Sequence, residues 1–150
     1  REVLHSTSSP AMDFAAVEKP RHNLPHQSTA FIGRESELAQ IRELLTNTRL
    51  LTLVGPGGTG KTRLAQQAAS AMVGSFRNGV YFVSLAPIDS ADLIAQAIAE
   101  SIGFPFSSNE DPQRQLLRHL RRRHDLLVLD NFEHLREGAG LVTGIVEVIT

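Results

Sequence analysis

Apolar side chains recur at helical spacing from Arg34 onward, with Leu38, Ile41, Leu44 and Leu45 set between Glu35, Glu37, Gln40, Arg42 and Glu43. That layout predicts an amphipathic helix with one face turned to a core. The continuous apolar run from Leu50 to Val54 stops abruptly at Gly55-Pro56-Gly57-Gly58, which predicts a buried strand ending in a glycine loop. Leu64, Ala68, Ala69 and Met72 mark one side of the stretch Lys61 to Val73, so a helix leaves the loop directly. Val80 to Leu85 reads as a second strand. Asp89 and Ser90 offer N-cap oxygens ahead of Leu93, Ile94, Ala97, Ile98 and Ile102, and Gly103 supplies a stop. Asp111 followed by Pro112 opens another helix, carrying Leu116, Leu117 and Leu120. Leu126 to Leu129 forms a third strand ending in Asp130, and Leu141, Val142, Ile145, Val146 and Ile149 trace a last helix.

Strands separated by helical segments call for parallel pairing, with helices covering a twisted sheet. The expected fold class is therefore α/β, three-layered, with a mostly parallel sheet. Residues 1–28 differ: Pro10, Pro20 and Pro25 stand among Ser6, Ser8, Ser9, His22, Asn23, His26 and Gln27, and no period is sustained. They read as a linker or disordered tail, leaving 29–150 for the folded domain.

Composition narrows the function classes. The 150 residues leave room for about one domain. Fifteen Lys and Arg against 16 Asp and Glu give a net charge of −1, so no whole-surface attraction to nucleic acid or an anionic membrane is expected. The absence of cysteine excludes disulfides, thiol nucleophiles and thiolate metal sites, and fits a reducing compartment. The cytoplasm is the expected location. No apolar run approaches the roughly 18 to 20 residues of a spanning helix, and the start has no signal-peptide layout. No membrane partner is expected. The first residue is Arg1 rather than Met, which suggests a start inside a longer polypeptide.

Residues 55–62 read GPGGTGKT, a G-x-x-x-x-G-K-[ST] pattern between a predicted strand and a predicted helix, the context that a phosphate-binding loop requires. Gly55, Gly57, Gly58 and Gly60 lack Cβ, so backbone amides can approach an anion closely. Those amides, with the helix start at Lys61, form a concave donor nest aided by the positive helix end, and Pro56 and Thr59 complete the same nucleotide-binding loop. Lys61 supplies a point charge for the β- and γ-phosphates. At about 4 Å and an effective dielectric near 20, such a pair is worth on the order of 4 kcal/mol before desolvation. Thr62 supplies a hydroxyl to Mg²⁺, and Asp130, at the C-terminal end of its strand, is the metal-side acid. Asn131 cannot act as a base, which leaves Glu133 as the nearest carboxylate able to orient or deprotonate water. An exposed first-turn acid at a helix start is the alternative reading of Glu133.

Four segments together carry a family likeness: FIGRE at 31–35, TLVGPGGTGKTRLA at 52–65, GVYFVSLAPI at 79–88 and LLVLDNFEHL at 126–135. They resemble the STAND group of signal-transduction ATPases, in particular the NB-ARC-like ATPase modules of large bacterial regulators with LuxR- or AfsR-type DNA-binding domains or fused nucleotidyl cyclases. The likeness spans about residues 23–150. It implies an ATP/ADP-binding switch with Mg²⁺ and slow hydrolysis. It also implies that Phe31 and Ile32 pack on the adenine, that Arg34 makes a polar contact there, and that Arg63 belongs to the nucleotide-binding segment. The alternative for Phe31 and Ile32 is to staple the following helix. In that family a further strand lies between the loop strand and the LLVLD strand, and the chain stops at Thr150 before it. Isolated residues 1–150 are then expected to leave unpaired strand edges and to be marginal or aggregation-prone. Self-association, effector binding and DNA binding are expected only through regions outside this segment.

Two other function classes compete. An AAA+-like motor or remodeller is expected to carry an acid directly after Asp130, where Asn131 stands. A P-loop kinase needs an acceptor-binding feature, and none is visible. Arg121, Arg122 and Arg123 with Arg114 and Arg118 suggest phosphate contacts to nucleic acid, but without interleaved aromatics they read as a solvated helix face. His22 and His26 have i, i+4 spacing without a third ligand.

Overall fold

A computed structural model describes residues 21–148. Among them the chain forms α1 (Glu35–Asn47), α2 (Lys61–Ala71), β1 (Gly79–Ser84), α3 (Ile94–Ile102), α4 (Pro112–Leu120), β2 (Asp125–Asp130) and α5 (Ala139–Val148). Single 3₁₀ turns at Ala91–Leu93 and Arg136–Gly138 lead into α3 and α5. The fold is α/β, as the alternation of patterns predicts. No helix among the described residues is long and apolar enough to cross a membrane.

Local chemistry explains most of the element ends. Asp111 accepts a hydrogen bond from the Arg114 amide at 3.0 Å, and Pro112 occupies the first helical position of α4, where its missing N–H costs nothing. Gly103 closes α3 in the left-handed conformation, φ +71°, which glycine reaches without strain.

β1 and β2 pair in parallel from Gly79 opposite Asp125 to Ser84 opposite Asp130. The connection contains α3 and α4, as parallel neighbours require. On its other side β1 is lined by residues 21–23. His22 bridges to Val80, the Arg21 carbonyl accepts from the Val80 amide at 3.0 Å, and the Asn23 side chain exchanges two bonds with the Phe82 backbone at 2.6 and 2.9 Å. Of the segment read as a tail, residues 21–23 thus hold to β1, and 1–20 lie outside the described residues.

The run Leu50 to Val54 differs from the expectation: it carries no strand assignment and no ladder partner among the described residues. Its burial still alternates, Leu51 and Leu53 half-buried and Thr52 and Val54 exposed. Apolar alternation reports which side chains meet a core, whereas a strand is defined by a backbone neighbour. Here the core contact forms without the ladder.

Two apolar clusters result. The larger gathers Val83, Leu85, Ile94, Ile98, Leu116, Leu120, Leu141 and Ile145 from β1, α3, α4 and α5. The smaller joins Ile41 of α1 to Leu64 and Ala68 of α2, with Phe31, Leu38, Leu51 and Leu53 against them. The smaller cluster seats the glycine loop between α1 and α2.

A phosphate-binding loop beside a strand-terminal aspartate

Residues 55–60 form a loop that turns straight into α2, with Gly60 as the helix N-cap. Gly58 and Gly60 both have φ of +77°, a left-handed conformation that L side chains adopt only at a cost. The loop is exposed throughout. The Lys61 Nζ donates to the carbonyls of Gly55 at 2.8 Å and Pro56 at 2.9 Å, so the ammonium lies across the loop. The Thr59 hydroxyl closes the turn by donating to the Pro56 carbonyl at 2.8 Å.

The decisive contact bridges 68 residues of chain: the Thr62 hydroxyl donates to Oδ1 of Asp130 at 2.8 Å. Parallel pairing ends β2 at Asp130, and α2 packs against β2, so the first turn of the loop helix meets the C-terminal end of the strand. Asn131 immediately takes a left-handed conformation, φ +61°, which Asn tolerates better than most residues. The chain therefore turns away at once and leaves the carboxylate at the sheet edge.

These residues suit a polyphosphate with a divalent cation. Two left-handed glycines and the free amides of a helix start provide anion donors, and the ammonium needs only to leave two carbonyls to reach an anion. Thr62 and Asp130 supply hard oxygen ligands, while no cluster of three or more His, Cys, Asp or Glu exists among the described residues. Mg²⁺ is commonly held in this way, by one or two protein oxygens plus phosphate and water.

The segment preceding α1 is tied to this centre from two directions. The Arg34 guanidinium donates to the Thr59 carbonyl at 2.9 Å and to Glu37 at 2.6 Å. From the opposite direction Arg63 of α2 donates to the Thr29 hydroxyl at 2.9 Å and lies 6.0 Å from the centre of the Phe31 ring, at the outer limit of a cation–π contact. Phe31 packs on the smaller cluster, whereas Ile32 is 88% exposed. Glu133 is exposed and makes no hydrogen bond or ion pair among the described residues. An open groove of about 490 Å³ borders the loop, walled by Glu37, Ile41 and Leu44 of α1, by residues 51–54 and by Lys61.

Sequence reasoning brings Lys61, Thr62 and Asp130 together, and the structure places Lys61 on the loop carbonyls and Thr62, the next residue, on Asp130. It missed Glu37 and Thr29, the partners of the two arginines. The i, i+3 spacing of Arg34 and Glu37 was a usable signal. Thr29 had none, because its pairing crosses 34 residues.

A glycine loop opening a helix, beside an aspartate at the end of a parallel strand, defines a nucleotide-binding domain of the P-loop NTPase class. A family model described as "AAA domain" matches residues 42–147, and the chain belongs to that family. Among curated proteins, one from Mycobacterium tuberculosis, provisionally named an HTH-type transcriptional regulator, is 41% identical over 109 residues, covering 73% of this chain and 12% of that protein. An uncharacterized protein of the same organism is 32% identical over 122 residues, 81% of this chain and 31% of its own length. An uncharacterized WD repeat-containing protein of Nostoc is 30% identical, covering 70% of this chain and 10% of its own. The chain thus spans a third or less of each of these relatives. No solved structure matches it.

Proposed function

We propose that this chain is the ATP- and ADP-binding part of a nucleotide switch in a bacterial signal-transduction or transcriptional regulator. The observation that carries the reading is the Thr62 to Asp130 hydrogen bond beneath the glycine loop. It pre-assembles the two side chains that would hold Mg²⁺. That cation, when bound, neutralises charge on the phosphates. The chain's own residues do the rest: loop amides and Lys61 bind the phosphates, and Asp130 keeps the Thr62 hydroxyl oriented.

Slow hydrolysis follows from what stands after Asp130. Asn131 has no basic oxygen, and Glu133, the nearest carboxylate after it, is exposed, which supports a site whose only candidate base among the residues following Asp130 lies off the strand end. Long-lived ATP and ADP states suit a switch. The likeness of the FIGRE, GPGGTGKT and LLVLDNFEHL segments to STAND modules with an NB-ARC-like ATPase supports adenine as the base, and relatives named as HTH-type regulators support transcription as the output. DNA contact then belongs to an output domain, and effector binding or self-association to other parts of a cytoplasmic protein.

Membership of the AAA family keeps an AAA+-like motor as a second reading. Nucleotide retention and turnover in the full-length protein separate the two. A switch retains about one nucleotide per chain through gel filtration and turns over slowly; steady turnover of many ATP per second without retention overturns the switch.

A further inference from the structure

We propose that Arg34 is a positioning residue for the phosphate loop, acting on the loop backbone, which deepens the nucleotide-binding reading above and rests on it. The Arg34 guanidinium is held by an ion pair with Glu37 one turn along α1, and its Nη1 donates to the Thr59 carbonyl at 2.9 Å. A trans peptide places C=O and N–H on opposite sides of one plane. Anchoring the Thr59 oxygen toward Arg34 therefore aims the N–H of the same peptide, that of Gly60, away from Arg34. That N–H has no backbone acceptor among the described residues and belongs to the last loop residue before α2, where the anion-binding amides converge.

Three details of the structure fit a clamp. Gly33 and Arg34 are both left-handed, φ +80° and +63°, and a non-glycine residue in that region is under strain that surrounding contacts must offset. The turn caps α1 with Arg34 yet makes no side-chain capping bond, so the side chain serves the loop instead of the helix end. A Cβ built on Gly60 would stand 3.5 Å from the guanidinium, which places the arginine directly against the loop residue whose amide it orients.

The clamp and a direct contact to the base are distinguished by ligands lacking one or the other part. Binding of ATP, inorganic tripolyphosphate and adenosine is measured on full-length protein, wild type against Arg34→Ala, Arg34→Lys and Glu37→Gln. The clamp weakens ATP and tripolyphosphate in Arg34→Ala by the same factor, about ten- to a hundredfold for one charge-assisted bond. Adenosine affinity stays unchanged, Arg34→Lys recovers part of the loss because an ammonium still donates to a carbonyl, and Glu37→Gln loses part of it. Weaker ATP and adenosine with unchanged tripolyphosphate overturns the clamp in favour of a base contact, and unchanged ATP and tripolyphosphate overturns it outright. Should Arg34→Ala fail to fold, the lysine and Glu37→Gln variants give the same comparison. Wild-type protein that binds neither ATP nor tripolyphosphate defeats the nucleotide reading itself.

Discussion

Thr62 and Asp130 share one proton across 2.8 Å, the hydroxyl donating and the carboxylate accepting. This orientation leaves the hydroxyl oxygen's lone pairs free for a cation, so under the proposed function the pair would contribute to binding when Mg²⁺ accompanies the phosphates. In Thr62→Val, the loss of ATP affinity on adding EDTA should be smaller than in wild type, because one of the two protein oxygens for Mg²⁺ is gone while Asp130 remains. Asn131 tests the backbone on which Asp130 depends. A β-branched residue at φ +61° costs roughly 1–2 kcal/mol more than one that tolerates that region. Asn131→Val should lower the thermal midpoint accordingly, and Asn131→Gly should not. The placement of Lys61, Thr62 and Asp130 was legible in the sequence because it follows from motif spacing and strand ends. The partners of Arg34 and Arg63 were not, since only folding brings Thr59 to one and Thr29 to the other.

The turn between α4 and β2 is closed by an ion pair whose carboxylate is buried. Arg123 donates Nε and Nη2 to the two Asp125 oxygens at 2.6 and 3.0 Å, and the Asp125 side chain is 2% exposed. Burial opposes the charge on Arg123, but the bond to Asp125 outweighs it and holds the guanidinium above its ordinary pKa. Removing one partner strands a charge, so Arg123→Ala should destabilise the protein by about 3–5 kcal/mol in denaturant unfolding. Beside it, His119 stacks on Phe104 with centroids 4.1 Å apart. Burial first, then the positive charge of Arg123, lowers its pKa below the ordinary value, and Asp125 pulls the other way. The folded protein therefore prefers neutral His119. Stability is full above the unfolded value of about 6.5 and is lost as pH falls from there toward the lowered folded value. A His119→Phe variant should show a shallower fall in thermal midpoint below pH 6.5 than wild type. The caps of α3 and α4 were readable from Gly103, Asp111 and Pro112, because each acts through its immediate neighbours. This side-chain pairing was not, although both members sit two residues apart.

Across the whole molecule, the alternation of helical and extended patterns gave the α/β class and the parallel pairing of β1 with β2. It overstated the run Leu50 to Val54, whose apolar residues satisfy a core contact without a ladder, and it left residues 21–23 out of the sheet edge they line. Both differences have one cause: hydrophobic period reports burial, and hydrogen-bonded neighbours are set by distant chain. The apolar residues bordering the loop remain open, with Val54 86% exposed beside the groove.

ATP·Mg²⁺ affinity of the full-length protein and its Lys61→Ala variant, measured by equilibrium titration, tests most directly whether this loop holds a polyphosphate. The ammonium lies across the loop carbonyls, and losing its charge should weaken binding by at least about tenfold. Equal affinity in the two proteins would contradict the assignment.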